Sequence, residues 1–191
     1  LKCLEGEVSM INPWENELGK KRWKTKSEFF IWLRGNLRSI WSDNPLRKIW
    51  KASKLRPLTL QEKQAKLFHP STKNVGQCYL CKQWFSGSKL ECDHVIESEG
   101  CYSFETAEKF LWHCAADSPD NWELVCKPCH KIKSYSMRQE MSFEDATITK
   151  KVIQIIKDKR DKEVLLEAGI TPASNAKARR EQLLKLLKEK Q

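Results

Sequence analysis

Two short stretches, Cys78-Tyr-Leu-Cys81 and Cys126-Lys-Pro-Cys129, decide the fold of this 191-residue chain. A C-x-x-C spacing lets a tight turn aim two thiolates at one point. Residues 82–125 separate the two pairs, so the turns come from distant parts of the chain. One such pair is also typical of redox sites, and single buried cysteines are common in cores, but two pairs form the ligand set of a closed tetrahedral zinc site. The pattern predicts structural zinc bound by Cys78, Cys81, Cys126 and Cys129.

The run Leu90-Glu-Cys-Asp-His-Val-Ile96 lies between the two pairs and predicts a short strand. Asp93 and His94 are neighbours in this run, and neighbouring side chains of a strand point to opposite faces, so they cannot do the same work. A second strand is predicted to end at the second cysteine pair. A helix over Pro128–Met137 then holds His130 beside that pair.

These elements together resemble the HNH endonuclease motif, most closely that of phage-encoded HNH nucleases. The residues that carry the resemblance are Cys78-x-x-Cys81, Asp93-His94, Asn121 and Leu124-Val125-Cys126-x-x-Cys129-His130-x-x-Lys133. The resemblance implies a ββα-metal module, in which a hairpin and a helix hold one catalytic divalent ion.

The resemblance also implies a role for each matched position. His94 would be the general base, and Asp93 and His130 would bind the catalytic ion. Asn121 would steady the loop or the base. Glu97 stands where many members of the family have a proline, and a long insert up to Asn121 follows it.

Phosphodiester hydrolysis needs a deprotonated water and neutralisation of the charge on the phosphate and the leaving oxygen. A histidine and one divalent ion can supply both. One carboxylate and one imidazole leave coordination positions open for water and substrate, which suits Mg²⁺ or Mn²⁺. The expected function is a metal-dependent DNA endonuclease, and the alternative is a zinc-stabilised nucleic-acid-binding protein without catalysis.

The net charge of +10 is unevenly distributed. Lys20–Lys66 contains 14 basic and 3 acidic residues, and Thr147–Gln191 contains 12 and 6, whereas Cys78–Lys133 contains 6 and 9. Because neutralised phosphates dominate non-specific affinity, the flanking segments are expected to bind double-stranded DNA. The predicted DNA contacts are Arg34, Arg38, Arg47, Lys48, Lys51 and Lys133.

Helix signals appear on both sides of the cysteine pairs. Ser27 is the predicted N-cap of a helix over Glu28–Trp41, and Ser103 that of a helix over Phe104–His113. His113 is interpreted as structural because no ligand spacing requires it. One long helix is predicted over Glu144–Ala168. A last helix with a leucine stripe is predicted from Thr171-Pro172, and residues 71–77 are predicted to form a linker.

The expected fold class is α+β, a mostly helical chain around a small zinc-bound ββα-metal module with a short antiparallel hairpin. Three segments are predicted: a basic, Trp-rich helical region over residues 1–70, the zinc-stabilised nuclease module over 71–141, and a basic helical region over 142–191.

The chain contains no apolar run long enough for a membrane span and no signal-peptide pattern, so we expect a cytoplasmic protein without a membrane partner. The four cysteines outside the pairs, at positions 3, 92, 101 and 114, show no paired spacing, which favours a reducing compartment. Cys92 and Cys114 are expected to be small core residues.

Overall fold

The structure is a computed structural model that describes residues 11–189, so Cys3 lies outside the described residues. Its contacts divide the chain into two compact units. The first unit consists of residues up to Gly76 together with Cys92–Leu124, and the second consists of Gln77–Glu91 together with the chain from Val125 onward. The predicted division into three segments stays a prediction.

The described helices are α1 (Glu17–Lys20), α2 (Lys26–Asp43), α3 (Pro45–Ser53), α4 (Leu60–Gln64), α5 (Phe104–Ala115), α6 (Lys127–Arg138), α7 (Phe143–Lys157), α8 (Asp161–Glu167) and α9 (Ala176–Glu189). The described strands are β1 (Arg56–Pro57), β2 (Asn74–Gln77), β3 (Trp84–Ser86), β4 (Leu90–His94) and β5 (Trp122–Cys126). A mostly helical α+β fold with a small antiparallel hairpin is therefore confirmed.

The first unit is built on the packing of α2 against α5. Its core contains Phe29 and Phe30 from α2 with Ala107, Phe110 and Cys114 from α5. Phe30 is almost fully buried, and truncating such a ring to alanine typically costs about 3–5 kcal/mol. The α2–α5 packing therefore fixes the position of the C-terminal end of α5.

The α2 helix begins two residues earlier than predicted. Thr25 is in an extended conformation and its side-chain oxygen accepts the Glu28 N–H at 3.2 Å. The prediction of Ser27 as N-cap was wrong because both residues are good caps and only the backbone conformation separates them. Ser103 is confirmed as the N-cap of α5, where it forms a capping box with Thr106.

Asn44 joins α2 and α3 to the end of α5. Its side-chain oxygen accepts the N–H of Leu46 at 2.9 Å, which caps α3, and its Nδ2 donates to the Cys114 carbonyl at 3.4 Å. Asn44 is buried, so water does not compete with the hydrogen bonds that its amide oxygen and nitrogen form.

Part of the predicted linker is a strand. β1 pairs with β2 in antiparallel register, with Arg56 opposite Val75 and Pro57 opposite Asn74. Val75 is fully buried. The prediction was wrong for residues 74–77 because the apolar pattern there is too short to distinguish a strand from a loop.

β4 and β5 form a two-stranded sheet, as the sequence predicts. Every residue of β5 is buried, which explains its apolar Leu124-Val125 centre. α6 follows β5 directly in the chain, so the predicted order of strand, strand and helix is confirmed.

The second unit has its apolar core on α7, α8 and α9, formed by Ile148, Val152, Leu165, Leu183 and Leu186. The leucine stripe of the last helix therefore packs against the core of this unit. α9 begins at Ala176, after Asn175, whose side chain accepts the Ala178 N–H at 2.8 Å. The predicted start at Thr171 was wrong because Arg179 and Gln182 hydrogen-bond to the preceding segment outside the helix.

The predicted single helix over Glu144–Ala168 is two helices, so this prediction was wrong. Lys159 adopts a left-handed conformation with φ 59°, and the Arg160 N–H donates to the Ile155 carbonyl at 3.0 Å. The turn lets Leu165 fold back onto the core of the unit. No glycine marks this turn, whereas Gly169, with φ 72°, does mark the end of α8.

Among the helices of residues 11–189, none is both long and apolar enough to cross a lipid bilayer.

Candidate functional site

The four paired cysteines come together in the second unit. The sulfur atoms of Cys78, Cys81, Cys126 and Cys129 all lie within 4.8 Å of one another. Three of the residues are buried and Cys81 is half-buried. The predicted convergence is confirmed, and the four cysteines can bind a metal ion such as zinc.

Backbone hydrogen bonds fix the two cysteine turns, and in the second turn they reach the sulfur atoms. In the first turn the Cys78 N–H donates to the Gln83 carbonyl at 2.9 Å, and Lys82 takes a left-handed φ of 58°. In the second turn the Cys126 N–H donates to Cys78 Sγ at 3.3 Å. The Cys129 N–H donates to Cys126 Sγ at 3.5 Å, so Cys126 is also the N-cap of α6.

The surroundings shift the pKa values of these thiols in different directions. Burial alone would raise the pKa of Cys78, but hydrogen bonds from the backbone of Cys81, Cys126 and Leu80 outweigh it and the pKa is lowered. Burial raises the pKa of Cys129, and its hydrogen bond with the Cys126 side chain adds to the effect. A divalent ion replaces thiol protons, so metal uptake by such a cluster releases protons and stabilises the fold.

A second group of possible ligands lies in the first unit and consists of His94, His113 and Asp117. The nitrogen and oxygen atoms of this group also lie within 4.8 Å of one another. His94 Nε2 and His113 Nδ1 each lie 3.6 Å from Asp117 Oδ2. The two imidazole rings pack with centroids 3.8 Å apart.

Two elements and the loop after the second supply this group. His94 is the last residue of β4, His113 lies in the last turn of α5, and Asp117 follows four residues later. The Trp41 ring of α2 packs on the His94 ring with a centroid distance of 4.0 Å. The α2–α5 core therefore fixes the rings that surround His94.

Both histidines of this group are neutral at pH 7. Burial lowers the pKa of His94 to about 4, and the neighbouring His113 adds to the effect, while Asp117 and Asp93 oppose it. Burial also lowers the pKa of His113, again against Asp117. A neutral imidazole can accept a proton or donate a lone pair to a metal ion.

Asn121 fixes the loop that follows His94. Its Oδ1 accepts the Ile96 N–H at 2.8 Å and its backbone carbonyl accepts the Val95 N–H at 2.7 Å. Its Nδ2 donates to the Ile96 carbonyl at 3.2 Å and to Asp117 Oδ2 at 2.6 Å. The same side chain therefore holds both the loop and the carboxylate beside His94.

The interpretation of His113 as purely structural did not anticipate this group. His113 comes close to His94 only in the folded chain, because α5 lies within the insert that follows β4. The one sequence signal is the i,i+4 separation of His113 and Asp117, which places two side chains on one face at the end of a helix.

His130 is oriented by a carboxylate that sequence reasoning missed. Its Nδ1 donates to Glu91 Oε2 at 2.6 Å, and both side chains are about one third exposed. A carboxylate on one imidazole nitrogen sets the tautomer so that the other nitrogen carries the lone pair. Glu91 lies two residues before Asp93 on β4, and residues two apart on a strand share the same face.

Asp93 is buried in β4 within the first unit, and its charge acts on both His94 and His113. His130 belongs to the second unit. Asp93 and His130 therefore belong to different units, and their joint role as ligands of a catalytic ion stays a prediction.

The cations predicted to contact DNA have different surroundings. Arg38 and Lys48 are exposed, and Lys48 lies 3.9 Å from Asp43. Arg47 packs over the Trp41 ring at 4.9 Å and donates to the Ser42 carbonyl at 3.2 Å, so it supports the α2–α3 junction. Their contacts with DNA stay predictions, as do those of the half-buried residues Arg34, Lys51 and Lys133.

Comparison of the chain with protein-family models, with curated proteins and with solved structures finds no match.

Proposed function

We propose that this protein is a metal-dependent endonuclease that hydrolyses phosphodiester bonds of double-stranded DNA. His94 is the general base in this proposal, and Asp93 and His130 are the ligands of a catalytic Mg²⁺ or Mn²⁺. The four-cysteine cluster binds a structural zinc ion. The chain order of strand, strand and helix and the residues resembling the HNH motif support this assignment.

The observation that carries the proposal is the environment of His94. The ring is neutral at pH 7, the backbone of His113 is its hydrogen-bond partner, and Asp117 lies 3.6 Å from Nε2. A general base needs a fixed tautomer and a nearby negative charge that favours its protonated form in the transition state. Asp117 supplies that charge and Asn121 holds Asp117 in place.

The divalent ion would supply charge neutralisation on the phosphate and the leaving oxygen when bound. The orientation of His130 by Glu91 is consistent with a ligand role, because it leaves the other imidazole nitrogen for an ion. The acidic character of the segment Cys78–Lys133 leaves attraction of the DNA backbone to the basic segments that flank it.

The second candidate is a zinc-stabilised nucleic-acid-binding protein without catalysis. The observation that favours it is the burial of His94, a residue that is only 7% exposed and whose pKa of about 4 makes it a weak base. General-base catalysis is most efficient when the pKa lies near the operating pH. In this alternative the His94 group would stabilise the end of β4.

Incubation of the purified protein with supercoiled plasmid separates the two candidates. The nuclease proposal expects nicked or linear plasmid in Mg²⁺ or Mn²⁺ and none in EDTA. The binding proposal expects a mobility shift of the DNA with no cleavage under any of these conditions. Zinc should be measured in the same samples, so that loss of the cysteine site is not mistaken for loss of the catalytic ion.

A further inference from the structure

The group of His94, His113 and Asp117 has the donors of a transition-metal site. Two imidazole nitrogens and one carboxylate oxygen are a common ligand set for Zn²⁺, Co²⁺ and Ni²⁺, and three protein ligands leave a position open. Mg²⁺ and Ca²⁺ prefer oxygen ligands instead. His94 and the Asp117 that supports it belong to both this group and the proposed catalytic site, whereas the proposed ion ligands Asp93 and His130 do not belong to this group.

The distances in the group suit an ion better than direct hydrogen bonds. Asp117 Oδ2 lies 3.6 Å from both His94 Nε2 and His113 Nδ1, which is beyond ordinary hydrogen-bonding distance. Zinc–nitrogen bonds of about 2.0–2.1 Å in a tetrahedron separate neighbouring ligand atoms by about 3.3 Å. Small side-chain movements therefore suffice to place an ion among the three atoms.

Surrounding contacts hold the ligands in position. Asn121 Nδ2 donates to Asp117 Oδ2 at 2.6 Å, and the backbone of His113 is a hydrogen-bond partner of the His94 ring. Such outer contacts orient metal ligands, and losing one typically costs 10–100-fold in metal affinity. Asp93 and Glu97 add negative charge near His113 and attract a cation.

We infer that a transition-metal ion such as Zn²⁺ binds His94, His113 and Asp117, and that its binding inhibits DNA cleavage by occupying the nitrogen lone pair of His94. The inhibitory half of this inference rests on the proposed function, because it requires His94 to be the base. The binding half rests on the geometry of the group alone. This site is distinct from the four-cysteine cluster and from the predicted Mg²⁺ or Mn²⁺ ligands.

Cobalt titration tests the binding half. The cysteine site is first filled with zinc, and Co²⁺ is then added while visible absorption is recorded. Binding to nitrogen and oxygen ligands gives d–d bands without the near-ultraviolet charge-transfer band that thiolate ligands add. The inference predicts about one Co²⁺ bound per chain in this spectral form. A thiolate band, or no d–d bands, would overturn it.

Four variants locate the bound cobalt. His113→Ala and Asp117→Asn should weaken binding by at least about 10-fold, as loss of even an outer contact does. His69→Ala is the matched control, since His69 is exposed and its ring hydrogen-bonds to the neighbouring Ser71, and it should leave binding unchanged. Loss of cobalt in His130→Ala but not in His113→Ala would overturn the inference, because the ion would then sit at the predicted catalytic ligands.

Folding of the variants is checked separately. Circular dichroism and zinc content are measured for every variant, and His113→Gln replaces His113→Ala if the latter melts early. The glutamine fills similar space and lacks the imidazole donor. Cobalt binding by a folded His113→Gln variant with the wild-type affinity would overturn the inference.

Plasmid cleavage in Mg²⁺ with increasing Zn²⁺ tests the inhibitory half. Each variant is compared with its own rate without added zinc. The half-inhibitory zinc concentration should rise at least about 10-fold in His113→Ala relative to the wild type. Equal inhibition of both proteins would overturn this half. If cobalt binding depends on His113 but the protein does not cleave DNA, the proposed function is refuted and the metal site is supported.

Discussion

Substitution of Asn121 by alanine removes the contacts that hold the loop after His94. The side chain makes three hydrogen bonds: it accepts from the Ile96 N–H, donates to the Ile96 carbonyl, and donates to Asp117 Oδ2. An ordinary hydrogen bond contributes about 0.5–1.5 kcal/mol and one to a charged group about 1.5–3 kcal/mol. The sum is about 2.5–6 kcal/mol, and because Asn121 is half-buried, water replaces part of it. We expect a loss of about 2–4 kcal/mol.

The assay is urea unfolding combined with hydrogen exchange of the Ile96 amide. The Ile96 N–H should lose its protection in Asn121→Ala, because its acceptor is the removed oxygen. Asn36→Ala is the matched control, since Asn36 is exposed on α2 and its side chain donates to the Trp32 carbonyl of its own helix. That control should cost less than about 0.5 kcal/mol. Unchanged stability and unchanged protection of Ile96 in Asn121→Ala would refute the role of this side chain.

Three further predictions concern metal and DNA. Cys126→Ser should lose the tightly bound zinc, at about one ion per chain in the wild type, and should unfold the second unit at lower temperature. Glu91→Gln should lower the Mn²⁺ affinity measured from cleavage rates by about 10–100-fold through His130, with activity recovering at high Mn²⁺. The double substitution of Arg38 and Lys48 by glutamine should reduce the slope of log affinity for DNA against log salt by about 2.

Each of these predictions has a result that contradicts it. A Cys126→Ser protein with full zinc content and unchanged melting would exclude the cysteines as ligands. A Glu91→Gln protein with an unchanged Mn²⁺ requirement would show that this carboxylate does not position His130. A salt slope equal to that of the wild type would remove Arg38 and Lys48 from the DNA contacts. Lys109→Gln, at an exposed position of α5 outside the two basic segments, is the comparison with equal charge loss per site.

The cysteine cluster could be predicted from sequence because the ligand spacing is local. Each C-x-x-C pair determines its own turn, and only the close approach of the two pairs depends on the rest of the fold. The same holds for the Ser103-capped helix and for β4 and β5, whose signals are a capping residue and short apolar runs between turn residues.

The surroundings of His94 could not be predicted because they depend on packing between distant segments. His113 lies beside His94 because Phe29 and Phe30 of α2 pack against α5 and fix its position. Trp41 packs on His94 for the same reason. No spacing along the chain encodes the distances to His94, and the i,i+4 separation of His113 and Asp117 is the one local signal of the group.

The break between α7 and α8 was missed for a different reason. Lys159 adopts a left-handed conformation that normally favours glycine or asparagine, so its residue type predicts helix continuation. Burial of Leu165 against Ile148 and Val152 offsets the cost of that conformation. A tertiary contact overrides local propensity here.

Plasmid cleavage by His94→Ala, compared with His69→Ala, tests the central claim most directly. If His94 is the general base, the cleavage rate in Mg²⁺ falls by on the order of 10²-fold or more, while zinc content, circular dichroism and DNA binding stay near those of the wild type. His69→Ala should cleave at the wild-type rate. Cleavage by His94→Ala at the same rate as His69→Ala, from preparations free of contaminating nuclease, would contradict the assignment of the base.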